Sequence, residues 1–490
     1  MSNVKKSGPI QFLFENSIFL IAGALAALIW ANVHADSYHG VIQFPINSLW
    51  EGAAQPTDAT HHAEADTAPA NGDTHRETAG ATATAEHSDH EGVGDSADEG
   101  SHASGHGHGY TFRLPFGLTL PFAHGFTPLA VINDLLMALF FAIAGKEVWE
   151  ALLPGGALSN PRKAATPLLA TLGGILGPAG IYAGGVLIFS NWGELGNGWA
   201  VPCATDIAFS YLVARLIFGA GHPAIAFLLL LAIADDAAGL IILAVFYPSG
   251  DLALQWLLLS VFAVALGFGF QKLRLQSFWW YVLIPGALSW IGFLKAGIHP
   301  ALGLVPIIPI IPHAGTDLGL FAREELGRHD PLNEFEHWWK NPVELILGLF
   351  GLVNAGVGFS SVGTGTWLVL VGLVVGKPLG ITLFTWIAEK GLKLEIPGGM
   401  SYRHVLSLGM VAGIGFTVAL FVSTAAFPPG DTLDAVKMGA LGSFFAAVVA
   451  FIGARMLGVR PLREDDPMEV SEPGVAEADD SAPAMAEAAI

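Results

Sequence analysis

Two short polar stretches interrupt apolar runs long enough to cross a bilayer: Ala204-Thr205-Asp206-Ile207-Ala208, followed by Ala234-Asp235-Asp236-Ala237. An ionised carboxylate inside hydrocarbon is costly, and intramembrane acids as a rule face a partner, an ion or a proton path. Three of them so close together constrain the chain to a membrane fold that encloses a polar site. Composition agrees: 52% of the 490 residues are hydrophobic, 13% are charged and the mean hydropathy is +0.54, far from the mix of a soluble domain. The formal net charge of -20 resides largely in two hydrophilic stretches, 51–105 and 464–490, and describes appendages more than the core. A lone cysteine, Cys203, excludes an intrachain disulfide and a Cys-rich metal site.

Apolar runs of roughly 17–25 residues predict an all-α polytopic membrane protein with about twelve transmembrane helices. They lie near 12–32, 127–152, 164–189, 201–218, 223–246, 252–270, 277–294, 297–312, 341–359, 366–388, 403–425 and 435–457. The first run is longer than a signal-peptide core and no small-x-small cleavage site follows it, so it is expected to be retained. Lys5 and Lys6 precede that span, and Lys146, Arg162 and Lys163 cluster after the second. The long loop between the two carries only Arg76 and Arg113. Basic residues favour the cytoplasmic side, which places both termini in the cytoplasm, the loop in the periplasm, and the protein in a bacterial inner membrane.

The expected organisation is a cytoplasmic N-terminus (1–11), a first transmembrane helix (12–32), a periplasmic loop (33–125), a transmembrane core (127–457) and an acidic, disordered cytoplasmic tail (458–490). Within the loop, residues 51–108 are rich in Ala, Gly, acids and histidines from His61 to His108. That composition predicts a solvated, disordered insertion; a periplasmic metal or proton buffer is the functional alternative. The flanking pieces Gly40–Leu49 and Tyr110–Pro121 alternate apolar and polar residues and are expected to pair as a small β-hairpin.

The span that carries Pro202, Thr205 and Asp206 makes a poor continuous helix, and so does the one holding Gly409, Gly413, Gly415 and Thr417. Each occupies the middle of a three-span group, 164–246 and 366–457, and three spans separate the groups. That odd number inverts one group relative to the other, the arrangement of an inverted repeat already known among secondary transporters, with two crossing broken helices at the midplane. At such a crossing like helix ends meet, positive N-termini together and negative C-termini together. Asp206 is placed to offset the first pair. Lys377, in the middle of span 366–388, is the candidate to offset the second. On a helix Asp235 and Asp236 point about 100° apart, so one can take a cation while the other meets Lys377. A structural salt bridge would explain Asp235 but leaves Asp236 without a purpose. Sodium ions and protons competing for the same carboxylates would couple their movements.

Taken together, these residues resemble the NhaA-type sodium/proton antiporters. The matching stretches are Ile132-Asn133-Asp134 through Lys146-Glu147-Val148, Trp199 through Phe209, Ala234-Asp235-Asp236, Lys295 through His299, Asn354 through Val357, Gly376-Lys377-Pro378-Leu379-Gly380, and Gly413 through Thr417. The resemblance implies an electrogenic exchanger that moves Na⁺ or Li⁺ out while more protons enter, driven by the proton motive force and serving sodium and pH homeostasis. It implies Asp236 as principal cation ligand and proton carrier, and Asp235 as its partner and the counter-ion of Lys377, so that Na⁺ or Li⁺ binds at Asp235 and Asp236. Thr205 would support the cation site and Asp206 would shape it. It further implies pH-sensing roles for Glu147, Glu336, His337 and His299, and a homodimer joined by the periplasmic hairpin. Neither cofactor, nucleotide nor nucleic acid is called for. Two departures bear on pH control: Lys340 stands where a strongly pH-controlled member carries a histidine, and Asn333-Glu334 replaces a basic pair.

A sodium-coupled symporter of an organic solute is the alternative, since it shares broken helices, but it should add hydrogen-bonding groups around a substrate cavity that are sparse here. A membrane sensor reading the histidine-rich loop would leave the buried aspartates idle. An enzyme is not expected, for the sequence holds no nucleophile triad order, phosphate loop or His-Glu-x-x-His spacing.

Overall fold

Helices account for nearly all of the computed structural model, which describes residues 18–49, 110–113, 119–122, 126–189, 191–219, 221–313, 330–396 and 400–462. The insertion 51–108, the N-terminal 1–11 and the tail from 463 lie outside the described residues. The helices are α1 (Ile18–Val33), α2 (Ala35–Ile42), α3 (Pro128–Leu152), α4 (Pro161–Ile188), α5 (Trp192–Cys203), α6 (Ile207–Phe218), α7 (Pro223–Phe246) and α8 (Leu254–Lys272). There follow α9 (278–296), α10 (Pro300–Ile310), α11 (Pro331–Asn354), α12 (Thr364–Gly391), α13 (Tyr402–Ala412), α14 (Phe416–Ala426) and α15 (Asp431–Met456). Eleven of the twelve stretches expected to span are helical at their centres, and the twelfth, 403–425, is broken there. Among the described residues six qualify as membrane spans by length and apolarity, and eight if each bent pair is one span. The remainder are short (α1, α10), lowered in hydropathy by Trp, Pro and Lys residues (α9), or charged along one face (α11, with Glu334, Glu336, Lys340 and Glu344). Large apolar side chains such as Leu258, Val261, Phe262, Phe445 and Ile452 point outward, as on helices that lipid covers.

The hairpin forms, but with a different partner than the alternation suggested. Tyr110–Arg113 (β1) pairs antiparallel with Thr119–Phe122 (β2), Tyr110 opposite Phe122 and Arg113 opposite Thr119. Residues 35–42 and 46–49 are helical instead. Closing a local turn between β1 and β2 orders far less chain than bringing residue 49 to residue 110.

Both weak spans are broken. α5 and α6 are bent by 52° at residues 204–206, and α13 and α14 by 52° at 413–415. The two breaks touch: the Asp206 N–H donates to the Ile414 carbonyl at 2.8 Å, and a side chain on Gly415 would run into the Ala204 carbonyl. Unpaired backbone from one break thus finds its partner in the other, which is what a break inside a membrane requires. The first helices of the two three-span groups, α4 and α12, cross through glycines four apart on each. Gly173 and Gly177 of α4 lie against Gly380 and Gly376 of α12, and a Cβ on any of the four would meet backbone of the facing helix. Small residues at such spacing let membrane helices approach backbone to backbone. Lys377 is carried in this contact, immediately after a π-helical turn at Gly372–Gly376.

The start of α7, the helix that bears Asp235 and Asp236, is fixed by His222, whose Nδ1 accepts the Ala224 N–H at 3.0 Å. Its ring stacks on Phe218 and lies 5.1 Å from that of His404. Burial, and then the neighbouring His404, hold the His222 pKa below its ordinary value.

Two outcomes follow. Gly173→Ala or Gly380→Ala should lower the melting temperature of the purified protein, by the equivalent of about 1–3 kcal/mol of overpacking. Gly180→Ala, on α4 with open space around it, should leave the temperature unchanged or raise it; equal effects at all three sites would contradict the crossing. Because the folded state disfavours protonated His222, its contribution is fully present above the unfolded pKa near ~6.5 and is lost as pH falls below it. His222→Asn keeps a cap without titrating. Wild type should therefore lose stability relative to His222→Asn between pH 7.5 and 5.5, and parallel curves would refute the assignment.

Candidate ion-binding site

The break in α5–α6 turns Thr205 and Asp206 toward α7 and α14. Asp206 is the N-cap of α6: its Oδ1 accepts the Phe209 N–H at 3.1 Å. Its Oδ2 accepts the hydroxyl of Thr417 in the first turn of α14. One carboxylate therefore serves the positive N-terminal ends of both half-helices. The opposite ends are negative. Lys377 Nζ donates to the Cys203 carbonyl at the end of α5, and Thr205 Oγ1 lies 3.2 Å from the Ala412 carbonyl at the end of α13.

Lys377 also lies 2.8 Å from Asp235 Oδ2, with side chains 0% and 3% exposed, and Thr205 Oγ1 sits 2.8 Å from the same oxygen. Asp235 is thus a satisfied ion. Asp236 is not: among the described residues its carboxylate takes part in no hydrogen bond or ion pair. The 100° step along α7 turns it into a cavity of about 750 Å³ that also touches Thr205, Asp206, Thr417, Arg215, Glu344 and, toward its mouth, Glu147, Glu336 and Lys340. On its other side Asp236 borders a void of about 30 Å³, walled by Phe140, Phe141, Val418 and Phe421, no larger than one or two waters. The site is open to the end of the bundle where α3 finishes and α11 begins, and closed by aromatic side chains toward the opposite end.

The expected pH-sensing residues divide. Glu147 and Glu336 both line the mouth of the wide cavity. Glu336 is held by Lys146, a 4% exposed side chain that also pairs with Glu150 one turn along α3. His337 is exposed on α11, outside that group. His299 is 8% exposed, and its Nδ1 accepts the Ala301 N–H at 3.4 Å. Its ring lies 4.7 Å from that of Phe421, so it stands behind the aromatic wall rather than at the cavity mouth. Sequence reasoning used Lys146 as a topological charge and as part of a matching stretch, and gave it no partner. The signal was present, however, in its i,i+4 spacing to Glu150. It also passed over Glu344, and over the reciprocal amide pair Asn133–Asn354, bonded at 3.1 and 2.8 Å, that ties α3 to α11. No cluster of three or more His, Cys, Asp or Glu side chains suited to a resident metal occurs among the described residues.

Comparison with known proteins adds the context of relatives. A family profile described as Na+/H+ antiporter 1 matches residues 105–454. The chain is similar to a Na(+)/H(+) antiporter NhaA of a Jannaschia species, 47% identical over 471 residues, covering 92% of this chain and 98% of that protein. A protein of the same name from Geotalea uraniireducens is 50% identical over 333 residues, covering 67% and 86%. Another, from Desulfitobacterium hafniense, is 40% identical over 468 residues, covering 95% and 99%.

The pairing of Lys377 with Asp235 generates a stability test. Lys377→Met alone strands a buried carboxylate and should destabilise by about 3–5 kcal/mol, read as a lowered melting temperature in detergent. Combining it with Asp235→Asn should recover most of that loss. A double variant as unstable as the sum of the singles would show that the two side chains do not act on each other.

Proposed function

The chain belongs to the Na+/H+ antiporter 1 family, and from that premise we propose that it exchanges intracellular Na⁺, or Li⁺, for external protons at Asp236. The observation that carries this reading is the asymmetry of the adjacent acids: Asp235 is neutralised by Lys377, while Asp236 stands unpaired at the head of a wide cavity. A carboxylate without a fixed counter-charge in that position binds either a proton or a cation. It cannot hold both, and the mutual exclusion couples the two fluxes.

The oxygens around it suit a small hard cation. Thr205 and Thr417 line the same cavity, and among the described residues no Cys or His lines it, a donor set that favours Na⁺ or Li⁺ over softer metals. Asp235 would join as a second ligand when Lys377 withdraws from it. In the reading the cavity faces the cytoplasm of a bacterial inner membrane, because Lys146 and Arg215 lie at that end and basic residues favour the cytoplasmic side. Proton-loaded Asp236 would meet Na⁺ there and release its proton inward. Tilting of the crossed half-helices would then move the aromatic wall and open the opposite side, as alternating access requires. More protons than cations per cycle, with Asp235 contributing when Lys377 shifts, would make exchange electrogenic and let the proton motive force drive Na⁺ out. The β1–β2 hairpin is the proposed contact of a homodimer. A symporter finds no support among the relatives, which are antiporters by name.

In everted vesicles acidified by respiration, NaCl or LiCl should trigger proton efflux from wild-type vesicles. Asp236→Asn should abolish the response at every pH between 6.5 and 9. Undiminished Na⁺-dependent efflux in correctly inserted Asp236→Asn would overturn the site assignment.

A further inference from the structure

Glu344 lies one helical turn beyond Lys340 and two beyond Glu336 on α11, and the three side chains line the same face of the wide cavity that ends at Asp236. Spacing of four residues puts them in one row. The row reaches from the mouth, where Glu336 is tied to Lys146, inward past exposed Lys340 to the partly buried Glu344. At this inner position the carboxylate is unsatisfied. Its Oε2 is shielded from solvent and has no hydrogen-bond partner, and among the described residues Glu344 makes no ion pair. The charges that act on it are those of Asp206 from the opposite wall and of Lys340 on its own helix; Glu147, Glu336 and Arg215 complete the charged lining. A buried carboxylate oxygen without a donor is a position to be filled by something mobile. In this cavity the available species are water, a proton and the incoming cation.

We propose that Glu344 is a further ion-handling residue of the exchange reaction, a carboxylate that draws a hydrated Na⁺ or Li⁺ along the cavity and hands it to Asp236. The inference rests on the antiport reading of Asp236. Asp206 is committed to the two half-helix ends and Glu336 to Lys146, whereas Glu344 offers a carboxylate oxygen without a hydrogen-bond partner between mouth and site. It acts by raising local cation concentration and not by setting the turnover of the binding acid itself. Its removal therefore bears on the Na⁺ concentration needed and leaves the maximal rate in place.

The test is Na⁺-dependent proton efflux in everted vesicles with wild type, Glu344→Gln and Glu344→Asp, followed as a function of NaCl at fixed pH and ionic strength. Glu344→Gln should raise the apparent KM for Na⁺ roughly two- to sixfold, the effect one unit charge exerts across about 4–8 Å under aqueous screening, at a nearly unchanged maximal rate. Glu344→Asp, which restores the charge, should return KM most of the way to wild type. The Na⁺ concentration that gives half-maximal thermal stabilisation of the purified proteins should shift by a similar factor, a readout that needs no transport. An unchanged KM in Glu344→Gln, an equal KM rise in Glu344→Asp, or a fall in maximal rate alone would overturn the proposal. If wild type itself shows no Na⁺-dependent efflux, the antiport reading fails, and this inference with it.

Discussion

Lys377 and Asp235 hold opposite charges 2.8 Å apart with both side chains almost wholly enclosed, and much of the architecture serves that contact. Neither charge would be stable there alone, since an isolated ion in protein interior or hydrocarbon loses its hydration without compensation. Lys377 adds the Cys203 carbonyl to its partners, and Asp235 adds the Thr205 hydroxyl. Through these bonds one ion pair gathers α7, α12 and the break between α5 and α6. It also leaves the next acid over: neutralising Asp235 gives Asp236 no counter-charge, and helical geometry turns it into the cavity.

The pair in turn depends on how closely α4 and α12 approach. Four glycines, two on each helix, remove the side chains that would hold the backbones apart, and a π-helical turn sets the phase of Lys377. The broken helices solve a matching electrostatic problem. Asp206 answers the N-terminal ends of α6 and α14, while Lys377 and Thr205 answer carbonyls at the ends of α5 and α13. A crossing balanced by movable side chains, rather than by a continuous backbone ladder, can tilt without leaving peptide groups stranded. That property suits the breaks to be the moving part of an exchanger.

Much of this was legible in the residues. Helix-breaking Pro202 and the glycines of 409–415 marked the breaks, and acids in apolar runs marked the site, because a bilayer penalises both so heavily that only a few arrangements survive. That Asp235 and Asp236 face different surroundings followed from the helical step, while the role of each came from the resemblance. What stayed hidden depends on distance between segments far apart in the chain. Glycines 173, 177, 376 and 380 become meaningful only when α4 meets α12, and Glu344 looks like an ordinary charge on an amphipathic helix until its neighbours are known. The hairpin was misassigned because alternation identifies strand-like pieces without saying which pair. Half-helix α5 begins at Trp192, well before the apolar run suggested, since its polar first turn carries no hydropathy signal.

The central claim is that one carboxylate, that of Asp236, serves proton and cation in turn. Its most direct measurement is the number of protons released when Na⁺ binds to the purified protein, obtained by calorimetric titration in buffers of differing ionisation enthalpy. The account predicts that Na⁺ binding liberates protons near the pH at which exchange turns on, and that Asp236→Asn shows neither the binding heat nor the release. Na⁺ binding without proton release at any pH, or unchanged release from Asp236→Asn, would contradict it.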